Sequence, residues 1–323
     1  MRIAITGVGG FMGTRFAERV VERGDTVVGL ERDPRAATRA RTAGREIVEG
    51  DVCDAKDAAR LCEGAEVVFH TAAIVGEGGD IGPYRRVNVG GTRTMVEAAR
   101  AAGVRHFVHV SSVMVYGFDY PANVAEDGPL RGENNAYCQT KIESEEAAEK
   151  AHGDMTLTIV RPGDVYGPLS MPWVVRPLQL MKQGLFVLPS GAGLINQAHI
   201  DNLCDAVFLA IDLGAAGAFN VTDDEPMPME RYFGRIADLI GKKVRTLPAG
   251  LLRPTFGALE RVFDVVGKEP PARAVAMRFL QRRNAYSIAR ARKVLGYAPR
   301  IGFEEGMAGI AAWLRAHPEA LKG

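Results

Sequence analysis

"RIAITGVGGFMGTRF", residues 2–16, sets a short apolar run directly before three spaced glycines, Gly7, Gly10 and Gly13, with an amphipathic stretch behind them. The run reads as a β-strand and Phe11 to Arg23 as a helix closed by Gly24. Glycines at such a junction allow a tight turn and close backbone approach to a ligand, while the helix start offers unsatisfied N–H groups to a phosphate. A second run, "TVVGLE" (Thr26 to Glu31), ends on an acid. That is near the roughly 20-residue offset at which a carboxylate meets the ribose of a dinucleotide. A glycine-rich turn with no ligand is the plain alternative. The strand before, the helix after and the acid beyond favour the dinucleotide. Glu31 at the strand end favours NAD. Its neighbour Arg32 keeps NADP open, since a guanidinium can hold the 2′-phosphate that Glu31 repels. Asp51, in "EGDVCD" at the end of the third strand, suits the adenine amino group or is a solvated loop residue.

Further runs lie downstream: "EVVFHTAA" (Glu66 to Ala73), "HFVHVSS" (His106 to Ser112), "LTIVRP" (Leu157 to Pro162) and "GAFNVTDDEP" (Gly217 to Pro226). Near-continuous apolar strands separated by helical patterns such as Tyr84 to Ala102 predict an α/β fold, a doubly wound parallel sheet of the Rossmann kind. Past Tyr166 the prolines at 168, 172 and 177 lead away from the sheet. The expected layout is a dinucleotide-binding Rossmann domain from 1–166 plus about 200–224, and a smaller, mostly helical C-terminal substrate cap from 167–199 plus 225–323.

Composition sets bounds. The 323 residues are 47% hydrophobic and 24% charged with a net charge of +1, which gives nucleic acid no electrostatic footprint. No apolar run reaches the ~18 residues of a membrane span. Cys53, Cys62, Cys138 and Cys204 lack metal-ligand or redox spacing, and the chain opens on its first strand with no charged leader. A cytoplasmic enzyme without a metal, acting on a small molecule, is the expectation.

The chemistry is expected in "YCQTK". Tyr137 and Lys141 stand four apart on the helical pattern that begins there, and so share a face. At roughly 6 Å and an effective dielectric near 20, an ammonium favours the phenolate by about 2–3 kcal/mol, lowering a tyrosine pKa by about two units. Such a phenol serves as base for an alcohol or acid for a carbonyl. Ser112, closing its strand at the carboxyl edge of the sheet, is placed to hydrogen-bond the same oxygen. A surface Tyr/Lys pair and a turn serine are the plain readings of each residue alone. Their order after a phosphate loop favours catalysis.

The chain resembles the extended short-chain dehydrogenases/reductases, the NAD-dependent epimerase/dehydratase superfamily, along nearly its full length. The matching motifs are "TGVGGFMG" (Thr6 to Gly13), "HTAA" (His70 to Ala73), "NVGGT" (Asn88 to Thr92), "SSVMVYG" (Ser111 to Gly117), "YCQTK", "RPGDVYGP" (Arg161 to Pro168) and "HIDNL" (His199 to Leu203). The resemblance implies Ser112, Tyr137 and Lys141 as catalytic, with Asn88 as a fourth member, and Lys141 also gripping the nicotinamide ribose. It implies that Phe11 and Met12 offer N–H groups to the pyrophosphate, and that Val52, Ala72, Ala73 and Ser111 join the cofactor site. The backbone from Pro162 to Val165 would face the nicotinamide. A homodimer through the helices near 85–102 and 136–150 is implied as well.

Substrate class rests on departures within that family. Nucleotide-sugar epimerases and dehydratases carry an arginine where Ile195 stands here and an asparagine where Asp164 stands. A lost cation and a gained carboxylate both disfavour a diphosphate. "FHTAA", "HIDN" and the segment Asn284 to Met307 resemble the 3β-hydroxysteroid dehydrogenase-like branch, and the stretch Leu247 to Gly267 is rich in apolar residues. It lines an apolar pocket, associates loosely with membrane as an amphipathic helix, or simply fills the cap's own core. Tyr286 and Arg290 repeat an aromatic–cation spacing and are assigned no chemistry. The expected activity is an NAD(P)-dependent oxidation, or reduction, of a secondary alcohol or ketone on an apolar, sterol-like substrate. The alternatives are a nucleotide-sugar 4-epimerase or dehydratase and, less favoured, a non-catalytic dinucleotide-binding subunit.

Overall fold

The structure, a computed structural model, describes residues 1–76, 79–252 and 276–321. Its strands are β1 Arg2–Thr6, β2 Thr26–Glu31, β3 Glu46–Glu49, β4 Val67–His70, β5 His106–Val110, β6 Thr156–Pro162 and β7 Asp164–Tyr166. These are followed by β8 Val187–Pro189, β9 Leu194–Ile195, β10 Gln197–His199, β11 Gly217–Val221, β12 Met227–Pro228 and β13 Arg245–Leu247. The helices used below are α1 Phe11–Glu22, α2 Pro34–Thr42, α3 Ala55–Cys62, α4 Ile81–Tyr84, α5 Thr92–Ala101, α6 Ala136–Ala151, α7 Arg176–Gln183, α8 Ile200–Leu213 and α9 Met229–Asp238.

Seven strands form one sheet in the order β11-β6-β5-β4-β1-β2-β3, every pair parallel. The chain winds outward from β1 to β3, then returns to β4 on the other side of β1. That reversal opens a crevice at the carboxyl ends of β1 and β4, where open α/β sheets hold their ligands. Alternation along the strands builds two cores. Ile3 and Ile5 of β1 and Val67 and Phe69 of β4 pack with Phe16 of α1 and Val207 of α8. Ala4 and Val68 point the other way, to Leu61 of α3, Met95 of α5 and Ala148 of α6. The doubly wound expectation matches this sheet.

β4 ends at His70 and β5 at Val110, short of Ala73 and Ser112. The reason is local: the Thr71 and Ala72 N–H groups donate to Thr6 Oγ1 rather than to a ladder, and Ser112 instead caps the 3-10 turn Val113–Tyr116. The single helix expected over Tyr84 to Ala102 is α4, a π-helical segment Arg85–Gly91, and α5. A 3.6-residue pattern does not announce a π turn.

Beyond Tyr166 a third core gathers Tyr166, Leu178 of α7, Ile195, Tyr232 of α9, Phe303 and Ile310. Ile195 has no exposed surface and pairs with Met227, so this side chain fills the third core. Of the apolar stretch Leu247 to Gly267, residues 253–267 lie outside the described residues. Leu247 and Leu251 are exposed and Leu252 is buried. Tyr286 is buried against Tyr120, and the Arg290 guanidinium lies over the Phe219 ring. Both are structural contacts.

Candidate active site

The loop between β1 and α1 accepts only glycine at its tightest point. A Cβ on Gly13 would stand 2.2 Å from the Gly7 carbonyl oxygen, and Gly7 itself holds φ +64°. Gly10 precedes α1, its N–H donating to Gly7 O at 3.0 Å, and no side chain caps the helix. The first-turn amides of Phe11 and Met12 therefore keep their reach toward an anion, and no acid stands in that turn to repel one. Gly9 N–H donates to Glu31 Oε2 at 3.0 Å, while Glu31 Oε1 accepts from the Arg32 and Asp33 N–H groups, both at 3.0 Å. Glu31 is thus fixed where the second strand meets the loop. Arg32 extends into solvent, 67% exposed, with its guanidinium 3.9 Å from Asp51.

Asp51 lies two residues past β3. It accepts from Cys53 N–H at 2.9 Å and faces Arg86 Nη2 at 3.3 Å. Val52 is buried and lies so close to Gly91 that a Cβ there would come within 2.8 Å of it. Ala72 and Ala73 continue from β4 beside the loop, with Thr71 Oγ1 donating to Thr6 O at 2.8 Å. Pro162 ends β6, and Gly163 turns the chain into β7, where Val165 is half-buried. A glycine cradle, an uncapped helix start and a fixed carboxylate make a donor and acceptor set that fits a dinucleotide.

Ser112, Tyr137 and Lys141 meet at the end of β5. Asn135 caps α6, accepting from the Tyr137 and Cys138 N–H groups, both at 3.0 Å, so Tyr137 sits in the first turn. The Ser112 hydroxyl is the neighbour that favours its phenolate. Lys141 is one turn on, buried, its Nζ donating to Val110 O at 2.8 Å and lying 5.8 Å from the Tyr137 ring centre. Burial pushes the Tyr137 phenol up to about 12, with the Ser112 hydroxyl pulling the other way. Burial likewise pushes the Lys141 ammonium down to about 8, Glu145 opposing. The expected lowering of the tyrosine by its lysine is therefore reversed: loss of water outweighs a cation that is aimed at a carbonyl. Tyr137 is a phenol near neutral pH.

Asn88 belongs to the π-helical segment, and its side-chain hydrogen bonds go to Ile74 and Thr140. Its Oδ1 accepts from Ile74 N–H at 2.7 Å, and its Nδ2 donates to Ile74 O and to Thr140 Oγ1, both at 3.1 Å. Its side chain ties the loop after β4 to α6. Ser111 is buried, and its hydroxyl donates to Glu145. Glu145 in turn accepts from Arg161 Nε at 2.9 Å and Nη2 at 2.6 Å, and Arg161 Nη1 reaches Tyr116 OH at 2.8 Å. This buried pair ties α6 to β6. Glu145 was not among the expected site residues, although its place one turn after Lys141 is a helical spacing that could have marked it.

Asp164 is not the bare carboxylate that its sequence position implied. Arg282 Nη2 lies 3.1 and 2.9 Å from its two oxygens, and Asn196 N–H donates to it at 2.9 Å. The negative charge is offset in place. No local pattern announces Arg282, which is 118 residues away in the chain.

The chain and its fold have counterparts. Residues 3–222 match the model of the NAD dependent epimerase/dehydratase family. The chain is 28% identical to a 2-alkyl-3-oxoalkanoate reductase of Stenotrophomonas maltophilia, over 97% of this chain and 99% of the relative. It is also 28% identical to a 3-beta-hydroxysteroid dehydrogenase of Mycolicibacterium neoaurum, over 95% of this chain and 89% of the relative. Among solved structures, the dTDP-glucose 4,6-dehydratase DesIV from Streptomyces venezuelae, with NAD bound, superposes with a TM-score of 0.79 at 24% identity, covering 98% of this chain and 97% of that one. The chain belongs to the NAD dependent epimerase/dehydratase family and is an NAD-dependent oxidoreductase of the extended short-chain dehydrogenase/reductase type.

Proposed function

We propose that the protein interconverts a secondary alcohol and a ketone on an apolar substrate, with Tyr137 exchanging the proton of the reacting oxygen. The observation that carries this reading is the Ser112–Tyr137–Lys141 arrangement at the carboxyl end of β5, beside the glycine cradle. When bound, NAD(H) supplies the hydride acceptor or donor. Ser112 and Tyr137 together present two hydroxyls to one substrate oxygen. Because burial keeps Tyr137 protonated, the phenol is set to donate to a carbonyl, which suits ketone reduction. Lys141, charged below about pH 8, favours the phenolate left behind. Glu31 selects NAD over NADP by repelling a 2′-phosphate. Helices α5 and α6, packed side by side, are the proposed dimer contact.

An apolar substrate is supported by the relatives, whose names describe a 2-alkyl-3-oxoalkanoate reductase and a 3-beta-hydroxysteroid dehydrogenase. The nucleotide-sugar alternative keeps one specific support: Arg282 offsets the carboxylate of Asp164, which removes half the electrostatic case against a diphosphate. One assay panel separates the two. Hydroxysteroids, simple secondary alcohols, their ketones and nucleotide sugars are each offered with NAD(H) and NADP(H), following reduced cofactor and analysing products. Turnover of apolar alcohols or ketones is the expected result. Conversion of a nucleotide sugar with no net change in cofactor, and no activity on apolar compounds, would overturn the proposal.

A further inference from the structure

Thr92 Oγ1 donates to Asn88 O at 2.6 Å, and a hydroxyl has one proton to give. Toward His70 Nε2, 3.1 Å away, it can only accept, so Nε2 carries the hydrogen. A neutral imidazole then has a bare Nδ1, and that nitrogen accepts from Thr6 Oγ1 at 2.8 Å. Thr6 Oγ1 in turn accepts from the Thr71 and Ala72 N–H groups, both at 3.1 Å. Every proton has one direction. At the other end Asn88 holds Thr140 Oγ1 through Nδ2, and Thr140, lying between Tyr137 and Lys141 on α6, passes its proton to Ala136 O at 2.7 Å.

We propose that His70, as its Nε2–H tautomer, is a positioning residue that joins the dinucleotide loop to the catalytic helix through this directed chain. The inference rests on reading Tyr137 and Lys141 as catalytic. The groups facing the imidazole support a neutral ring. His70 is 1% exposed, Phe107 and His109 flank it at 5.8 and 5.7 Å between ring centres, and the nearby charge is the cation Lys141. Burial first, then Lys141, holds its pKa down to about 3. A protonated ring would present a second N–H to Thr6 Oγ1, which already accepts two, and the chain would have to reverse. His109 repeats the logic: Ser144 Oγ donates to Lys141 O at 2.8 Å, so His109 Nε2–H donates to Ser144 at 3.0 Å.

Two measurements test the proposal. In the ¹⁵N spectrum of histidine-labelled full-length protein, His70 should show a protonated Nε2 and a bare Nδ1, unchanged between pH about 5 and about 8. Titration near the ordinary value of about 6.5, or a proton on Nδ1, would overturn it. The second follows NADH affinity by fluorescence in the full chain. Thr140→Val, at the far end of the chain of hydrogen bonds, should weaken NADH about threefold, and His70→Leu about tenfold. The double variant should be no weaker than His70→Leu, because one path has already been cut. His70→Gln, which keeps an N–H toward Thr92, should recover part of the loss. Wild-type affinity in Thr140→Val, or effects that multiply, would overturn the coupling. Inactivity of the wild type on every apolar compound would overturn the substrate reading instead, and leaves both measurements decisive.

Discussion

The Arg282 guanidinium lies against the Asp164 carboxylate, Nη2 3.1 and 2.9 Å from the two oxygens, and the side chains are 0% and 6% exposed. Arg282 also stacks its guanidinium on the Phe279 ring, 3.8 Å from the centre, and bonds Phe279 O at 3.1 Å. One pair thus fastens the C-terminal segment to the strand that leaves the sheet beside the candidate site. Arg282→Met should destabilise the protein by about 3–5 kcal/mol in urea unfolding, since it strands a buried charge. Arg282→Met with Asp164→Asn should recover most of that. Equal loss in both variants would show that the cost comes from packing against Phe279.

Tyr137→Phe keeps the ring and removes the proton. NADH affinity should stay within about twofold of the wild type, while turnover on the panel's active substrate falls by about 10²-fold or more. Near-normal turnover in steady-state assays would remove Tyr137 from the chemistry.

The charge on Lys141 sets a basic limit. Its pKa is depressed to about 8, so the ammonium exists below that pH and is lost as pH rises through it. For ketone reduction, kcat/KM should hold near neutral pH and fall above about 8. In Lys141→Arg, which stays charged, the falling limb should move to higher pH. A profile flat to about pH 10 in the wild type would contradict a role for this charge.

Glu31 accepts three backbone N–H groups, so its replacement disturbs the loop as well as the proposed ribose contact. Glu31→Ala should narrow the NAD over NADP preference by about tenfold, with Arg32 free to meet a 2′-phosphate. The ratio of kcat/KM for the two cofactors measures it. Unchanged selectivity would place the ribose reader elsewhere.

Chain-local features were legible beforehand. The order of strands and helices, the glycine cradle and the Tyr137–Lys141 spacing all depend on residues within a few positions of each other. Sequence patterns report such neighbours directly. Glu31 was legible for the same reason, because it ends the strand next to the loop. The π-helical Arg85–Gly91 was not, since its hydrogen-bond register leaves no distinct period in so short a segment.

By itself the sequence determined the doubly wound sheet and the place of the crevice, and it singled out the residues proposed to handle the proton. Hydrophobic alternation, glycine sterics and helical spacing act over short distances along the chain. Only the tertiary structure decided their electrostatic state. Tyr137 rises and Lys141 falls because burial removes water from both, a quantity that no spacing encodes. Asp164 has its charge offset by Arg282, and Ile195 turns into the third core, because segments distant in sequence fold against them.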